Sequence, residues 1–231
     1  MHEYQAEFVF DCLDLQRVVG VFCRQSGKSL SISFVSILEA LRHPNRKILI
    51  IAPTDLQAGL LFDKIAANLK NSILMAEVKA VTKRSALFKN GTTISAHTVG
   101  DTGAGVRGLT GHVVILEEAA FIKDAIVSEV IMPMAAATDG KVIKISTPFG
   151  MNHFYESAMS DTWKLHQNSW EKPVESGLIT QEFIDAQMET MMSMQFRTEY
   201  GAEFIADQDA YFPSALIQSC VEDYPMIGGV V

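Results

Sequence analysis

Four short runs of this 231-residue chain, at positions 18–22, 48–51, 113–116 and 142–145, are almost wholly apolar, and nothing else in the sequence constrains the fold as tightly. A strand with one wet face alternates polar and apolar residues, whereas a run that is apolar on both faces has to be covered on both. Amphipathic segments lie between the runs. From residue 30 to 41 apolar side chains recur at helical spacing (Ile32, Val35, Leu38, Leu41) until His43-Pro44-Asn45 stops the helix; from 55 to 69 the stripe is Leu56, Leu60, Leu61, Ile65 and Leu69. Strand, helix, strand, helix is the βαβ pattern of a mostly parallel sheet flanked by helices, so the fold class is α/β.

The pattern changes after residue 78. Residues 85–88, the turn Lys89-Asn90-Gly91-Thr92 and residues 94–96 predict a β-hairpin, because Asn-Gly supplies the positive φ of a tight turn. Gly100, Gly103, Gly105, Gly108 and Gly111 then predict a mobile or closely approached loop. A helix is expected around 126–132 and a strand within 163–170. Thr180 is placed to cap a helix, with helical structure from 183 to 196 whose Met188, Met191, Met192 and Met194 read as core filler. Residues 226–231 look like the start of a further strand. No apolar run approaches the roughly 18 residues of a membrane span, and residues 1–5 have neither the basic start nor the apolar stretch of a secretory signal. Cys12, Cys23 and Cys220 are scattered without metal-ligand spacing and read as free thiols in a reducing compartment.

The chemistry concentrates where the first run meets the first helix. Residues 22–29 occupy the frame of the phosphate-binding motif G-x-x-x-x-G-K-[ST], with Phe22 in place of the first glycine. Gly-Lys-Ser also occurs in ordinary surface turns; its place after a buried strand and before an amphipathic helix favours nucleotide binding. Arg24, Gln25, Ser26 and Gly27 would then present backbone N–H groups to phosphate, Lys28 would reach the β- and γ-phosphates, and Ser29 would ligate Mg²⁺. The third run ends in Glu117-Glu118. A buried parallel strand delivers such a pair to its C-terminal edge beside the loop, where one carboxylate can hold Mg²⁺ and the next can polarise the attacking water; a solvated acidic strand end is the plainer alternative. Aspartate is usual at position 117, and glutamate moves the metal-binding oxygen by about 1 Å. Arg24 and Arg107 are the candidate charges for the transferring phosphoryl group, Arg107 standing ten residues before Glu117 where it could serve a neighbouring subunit. Ser146-Thr147-Pro148 follows the fourth run, where small hydroxyl residues can sense the γ-phosphate; alone, it is an ordinary turn.

Together Cys23-Arg24-Gln25-Ser26-Gly27-Lys28-Ser29, Arg107-Gly108-Leu109-Thr110, Ile115-Leu116-Glu117-Glu118-Ala119-Ala120-Phe121 and Ser146-Thr147-Pro148-Phe149-Gly150 resemble the ATPase domain of the large terminase subunit, the genome-packaging motor of tailed bacteriophages and related viruses. The resemblance runs from about Tyr4 to Ala206. It implies an additional-strand P-loop ATPase using ATP and Mg²⁺, in which Lys28, Ser29 and Glu117 serve the phosphates and metal and Glu118 activates water. Arg24 would act within the subunit, Arg107 as a finger offered to a neighbour, and Ser146, Thr147 and Pro148 would couple hydrolysis to movement. Gln5 sits where the family places an adenine-recognising glutamine, although the proline usual before it is absent.

The implied arrangement is an ATPase core over residues 1–162, then a small lid subdomain and linker over 163–231. That linker would lead to a nuclease domain of which these residues hold only the threshold, so nuclease activity is not expected here. The implied partners are double-stranded DNA, the portal protein, the small terminase subunit and further copies in a ring, a pentamer by resemblance, with no membrane and with action in the host cytoplasm. A helicase-like translocase, suggested by Ala52-Pro53-Thr54, and a slow nucleotide-binding assembly switch are the competing functions. The net charge of -8 by itself speaks against nucleic acid, but a ring motor needs only a local basic lining, for which Lys79, Lys83, Arg84 and Lys89 are the candidates.

Overall fold

The computed structural model describes residues 1–206 and residue 220. Its centre is an eight-stranded sheet of order β3-β4-β5-β2-β6-β7-β1-β8. The four apolar runs become β1 (Arg17–Phe22), β2 (Lys47–Ala52), β6 (Val113–Glu117) and β7 (Lys141–Ser146), which lie side by side and parallel in its middle. β3 (Val78–Val81) and β4 (Ser85–Phe88) form an antiparallel ribbon joined to the rest through β5 (Thr93–Thr98); β4 and β5 make the expected hairpin. The other edge is β8 (Lys164–Asn168), parallel to β1.

Side chains alternate across this sheet, and the period of two partitions the protein into two cores. Val18, Ile48, Ile50, Val113, Ile115, Ile143 and Ile145 face α1 (Glu3–Asp14), α2 (Lys28–Arg42) and α3 (Asp55–Lys70). Val19, Val21, Leu49, Ile51, Val114, Leu116 and Val142 face the other layer. That layer holds a short helical run, α4 (Asp124–Ile126), a π-helical turn (Val127–Ile131) and α5 (Met132–Ala136), together with α6 (His153–Met159). Gly20 is required where it stands, because a Cβ there would lie 2.8 Å from the Phe8 ring.

Past the sheet, α7 (Glu171–Glu175), α8 (Gln181–Thr190) and α9 (Ser193–Glu199) build a small helical unit around Ile179, Ile184, Phe196 and Tyr200. Thr180 caps α8 by accepting from the Phe183 N–H.

Several expectations change. A boundary after residue 162 would cut off β8, which belongs to the main sheet; the small unit begins at Trp170 instead. The single helix over 183–196 is two, broken where Met191 and Met192 adopt extended backbone. Met188, Met192 and Met194 are exposed, and only Met191 of the four packs on the small core. In α3 the buried stripe is Ala58, Leu61, Phe62, Ile65 and Leu69, while Leu56 and Leu60 are 71% and 55% exposed, because they lie on the opposite face of the helix from Ala58 and Ile65. The helix expected at 126–132 is interrupted by its π turn. The strand expected at 226–231 lies outside the described residues. Cys12 and Cys23 are buried free thiols and Cys220 is exposed.

Candidate active site

β1 ends at Phe22, and the chain turns through residues 23–27 into α2. Phe22, the departure from the phosphate-loop pattern, directs its ring into the core, edge-on to Phe8 at 5.1 Å. The loop is braced from behind. The Cys23 N–H donates to Asn168 O (2.9 Å) and the Arg24 N–H to Glu199 O (2.8 Å), tying it to β8 and α9. Ser26 Oγ donates to Cys23 O at 2.6 Å. Gly27 caps α2 at φ +83°, where a Cβ would fall 2.2 Å from Gln5 Nε2. The outcome is a helix N-terminus with free N–H groups, the partial positive charge that attracts phosphate.

Gln5 is one of those braces. Its Nε2 donates to Ser26 O (2.9 Å) beside Tyr4 Oη, which donates to the same oxygen (2.8 Å), and its Oε1 accepts from the His2 N–H. It is buried behind the loop and lies outside the lining of the cavity. Burial pushes the Cys23 thiol up to about 11, which keeps it protonated and unreactive.

A cavity of about 750 Å³ opens in front of the loop, lined by Arg24, Gln25, Gly27, Lys28, Ser29, Glu118 and Thr147 among others. Lys28 folds back to donate to Cys23 O at 3.1 Å. Ser29 Oγ donates to Glu117 Oε1 at 3.1 Å, so the longer side chain at position 117 still reaches the first turn of α2. Glu117 is only 5% exposed and its other oxygen, Oε2, has no hydrogen-bond partner. Burial pushes its carboxyl up to about 7, with Glu118 adding to the rise and Lys28 and Ser29 opposing it. An orphaned buried carboxylate oxygen beside a serine hydroxyl fits a hard divalent cation. No cluster of three or more His, Cys, Asp or Glu among the described residues could hold one unaided, so phosphate and water would have to complete the shell.

Glu118 follows in the left-handed region (φ 49°, ψ 47°), rare for a non-glycine residue, and this turns its carboxylate into the cavity, where Oε2 accepts from Ser146 Oγ at 3.1 Å. Thr147 stands beside it and Pro148 is buried behind. Arg24 lies at the rim, gripped by Glu199 through two hydrogen bonds of 2.5 and 3.1 Å. Arg107 is elsewhere, exposed on the glycine-rich segment, with Nη2 4.0 Å from Glu129. Of the basic residues near the hairpin, Arg84 is engaged with Asp55 (2.7 Å), whereas Lys79, Lys83 and Lys89 are exposed.

The structure also brings in residues that the sequence did not flag: Gln57 and Lys64 from α3 and Phe121 line the cavity, and Glu199 holds Arg24. Thr54 and Gln57 form a capping box at the start of α3, a pattern that signals a helix start and not a cavity; Glu199 has no local signal at all.

The profile of the family described as terminase large subunit, T4likevirus-type, N-terminal, matches residues 19–219. The terminase large subunit of Thermus phage G20c is 29% identical over 234 residues, an alignment covering 85% of this chain and 47% of that protein; that of Thermus virus P23-45 is 28% identical with the same coverage. The chain thus spans about half the length of the curated relatives it matches. Among solved structures, the large terminase ATPase domain of Thermus phage P74-26 superposes with a TM-score of 0.76 at 26% identity, covering 89% of this chain and 94% of that one. The large terminase of a thermophilic bacteriophage, in complex with ADP, shares the fold at a TM-score of 0.70 and 11% identity, over 89% of this chain and 54% of that one.

Proposed function

The chain belongs to the terminase large-subunit family, in its T4-like-virus N-terminal type, and from that premise we propose that it is the Mg²⁺-dependent ATPase domain of a motor that drives double-stranded viral DNA into a procapsid. The observation that carries the reading is the pairing of Ser29 with Glu117 on one side of the cavity and of Ser146 with Glu118 on the other.

In this reading the N–H groups of residues 25–28 bind the phosphates while that of Arg24 stays on Glu199 O, and Lys28 leaves the Cys23 carbonyl to reach their β- and γ-oxygens. Ser29 Oγ and Glu117 would hold Mg²⁺, which when bound offsets phosphate charge. Glu118 orients and deprotonates the attacking water, with Ser146 fixing one carboxylate oxygen so that the other is left for the water. Arg24 contributes positive charge from the rim within the subunit. Arg107, exposed and outside the cavity, is assigned to a neighbouring copy's nucleotide in a ring. Gln5 serves the nucleotide indirectly, by bracing the loop, and its place behind the loop favours that over direct contact with the base. Ser146, Thr147 and Pro148 relay the state of the γ-phosphate, and the helical unit α7–α9 acts as the lid. DNA, the portal protein, the small terminase subunit and a host-cytoplasmic setting complete the proposal, with Lys79, Lys83 and Lys89 as the DNA-facing charges.

ATP hydrolysis measured with and without double-stranded DNA, on wild type and Glu118→Ala, tests this. DNA-stimulated turnover that falls by about 10²-fold or more in the variant is expected. Turnover indifferent both to DNA and to Glu118 would refute the motor reading.

A further inference from the structure

Two segments leave the C-terminal ends of adjacent strands at the site, residues 118–124 after β6 and residues 146–153 after β7, and they are fastened to each other along their length. At the first step Glu118 Oε2 accepts from Ser146 Oγ (3.1 Å). Further on, Asn152 Nδ2 donates to Ala120 O (2.7 Å), the His153 ring Nε2 bonds to Ile122 O (3.1 Å) and the His153 N–H donates to Asp124 Oδ1 (3.1 Å). Lys144 lies beneath, buried on β7. Its ammonium donates to His153 Nδ1 (3.0 Å), His153 O (3.2 Å) and Ser157 Oγ (2.8 Å), three acceptors for three N–H bonds, with the Trp163 ring 4.8 Å away.

The lysine settles the tautomer. An ammonium pointing at Nδ1 requires that nitrogen to be bare, so the ring proton sits on Nε2, where Ile122 O can accept it. Burial lowers the His153 ring to about 4 and Lys144 to about 8, in keeping with a neutral imidazole between an ammonium and a carbonyl. None of Lys144, Asn152 and His153 lines the nucleotide cavity. They act on the backbone that follows Glu118. That backbone starts from a left-handed residue, a strained conformation that persists only where its surroundings impose it.

We propose that His153 and Asn152 are positioning residues for hydrolysis, holding residues 119–124 in the one path that keeps the Glu118 carboxylate aimed into the cavity, with Lys144 setting the tautomer of the histidine. The proposal rests on Glu118 being the group that activates water.

Near-isosteric variants separate positioning from plain stability. His153→Gln keeps a donor near the Nε2 position for Ile122 O and loses the acceptor for Lys144; His153→Asn keeps a group at the δ position for Lys144 and falls short of Ile122 O. Asn152→Asp keeps the oxygen that caps α6 by accepting from the Phe154 N–H (3.0 Å) and turns an acceptor toward Ala120 O. In steady-state ATPase assays, His153→Asn and Asn152→Asp should lower kcat by about 10- to 100-fold, with KM for ATP within about twofold of wild type, because a misplacement of about 1 Å is enough for that loss. His153→Gln should retain most of kcat. A merely structural histidine would shift melting temperature in both histidine variants and leave their kcat values alike; that result, or a loss confined to KM, overturns the proposal. Should the buried histidine variants fail to fold, the half-buried Asn152→Asp decides, and unchanged kcat there is the refuting outcome. Glu118→Gln measured alongside distinguishes the failures: wild-type turnover in it refutes the underlying reading, whereas its inactivity beside an unimpaired Asn152→Asp refutes only the positioning role.

Discussion

Replacing Glu117 by glutamine should stabilise the nucleotide-free protein at pH 8 relative to wild type and bring no such gain at pH 5. The carboxyl is buried with one oxygen unpartnered, and its folded-state value is raised from 4.5 to about 7, chiefly by burial. Between those two values the folded protein holds a proton that the unfolded chain has released, so wild-type stability falls as pH rises through this window and levels off above it. A rise of that size corresponds to about 3 kcal/mol at 1.36 kcal/mol per unit. Glutamine keeps the acceptor for Ser29 Oγ but points an N–H₂ where no acceptor stands, a cost on the order of 1 kcal/mol at every pH. The expected signature is therefore a difference between the two proteins that changes by about 2–3 kcal/mol from pH 5 to pH 8, in favour of the variant at high pH. Urea denaturation at pH 5, 6, 7 and 8 in EDTA, with equal slopes in urea, measures it, and titrating groups that do not interact with Glu117 cancel between the proteins. Parallel stability curves would show that the carboxyl is not desolvated and would remove the argument for a cation at its orphaned oxygen.

Three further outcomes follow from the geometry. Arg107→Ala should leave nucleotide affinity near normal and abolish turnover, and mixing it with Glu118→Ala should restore part of the activity in assembled protein; fluorescent-nucleotide binding and ATPase assays check this, and no rescue in confirmed oligomers counts against action in trans. Lys141→Met strands the buried Glu39, to which the lysine donates along with the Cys12 and Leu13 carbonyls, and should cost about 3–5 kcal/mol in urea denaturation, most of it recovered by adding Glu39→Leu. Gly27→Ala should weaken nucleotide binding at least tenfold, and adding Gln5→Ala should recover part of the loss by removing the clashing amide while the strain of φ +83° remains.

What the sequence disclosed and what it hid divide along the range of the interactions. Residues 48–51 and 113–116 declare buried parallel strands because burial on both faces leaves no polar position, and Gly27-Lys28-Ser29 gains its meaning from the strand before it and the helix after it. Both are local patterns. The Leu56 and Leu60 stripe was misleading because the apolar residues of α3 occupy more than one face, and only the face bearing Ala58, Leu61, Phe62 and Ile65 meets the core. The break at Met191 and Met192 lacks the glycine or proline that would have announced it. Lys64 reaches the cavity from α3 and Glu199 reaches Arg24 from α9, and no spacing rule connects Glu199 to an arginine 175 positions earlier. Lys144 was visible only as an interruption in an otherwise apolar strand; its partners come from α6, so its role needed three dimensions.

The two backbone bonds from the phosphate loop to its neighbours also make built-in reporters. The Cys23 amide is protected by β8, part of the sheet, while the Arg24 amide one residue on is protected by Glu199 at the end of the small helical unit. Two adjacent N–H groups therefore answer to different bodies. In a hydrogen-exchange experiment the ratio of their rates separates undocking of the helical unit from opening of the sheet, without any label near the cavity.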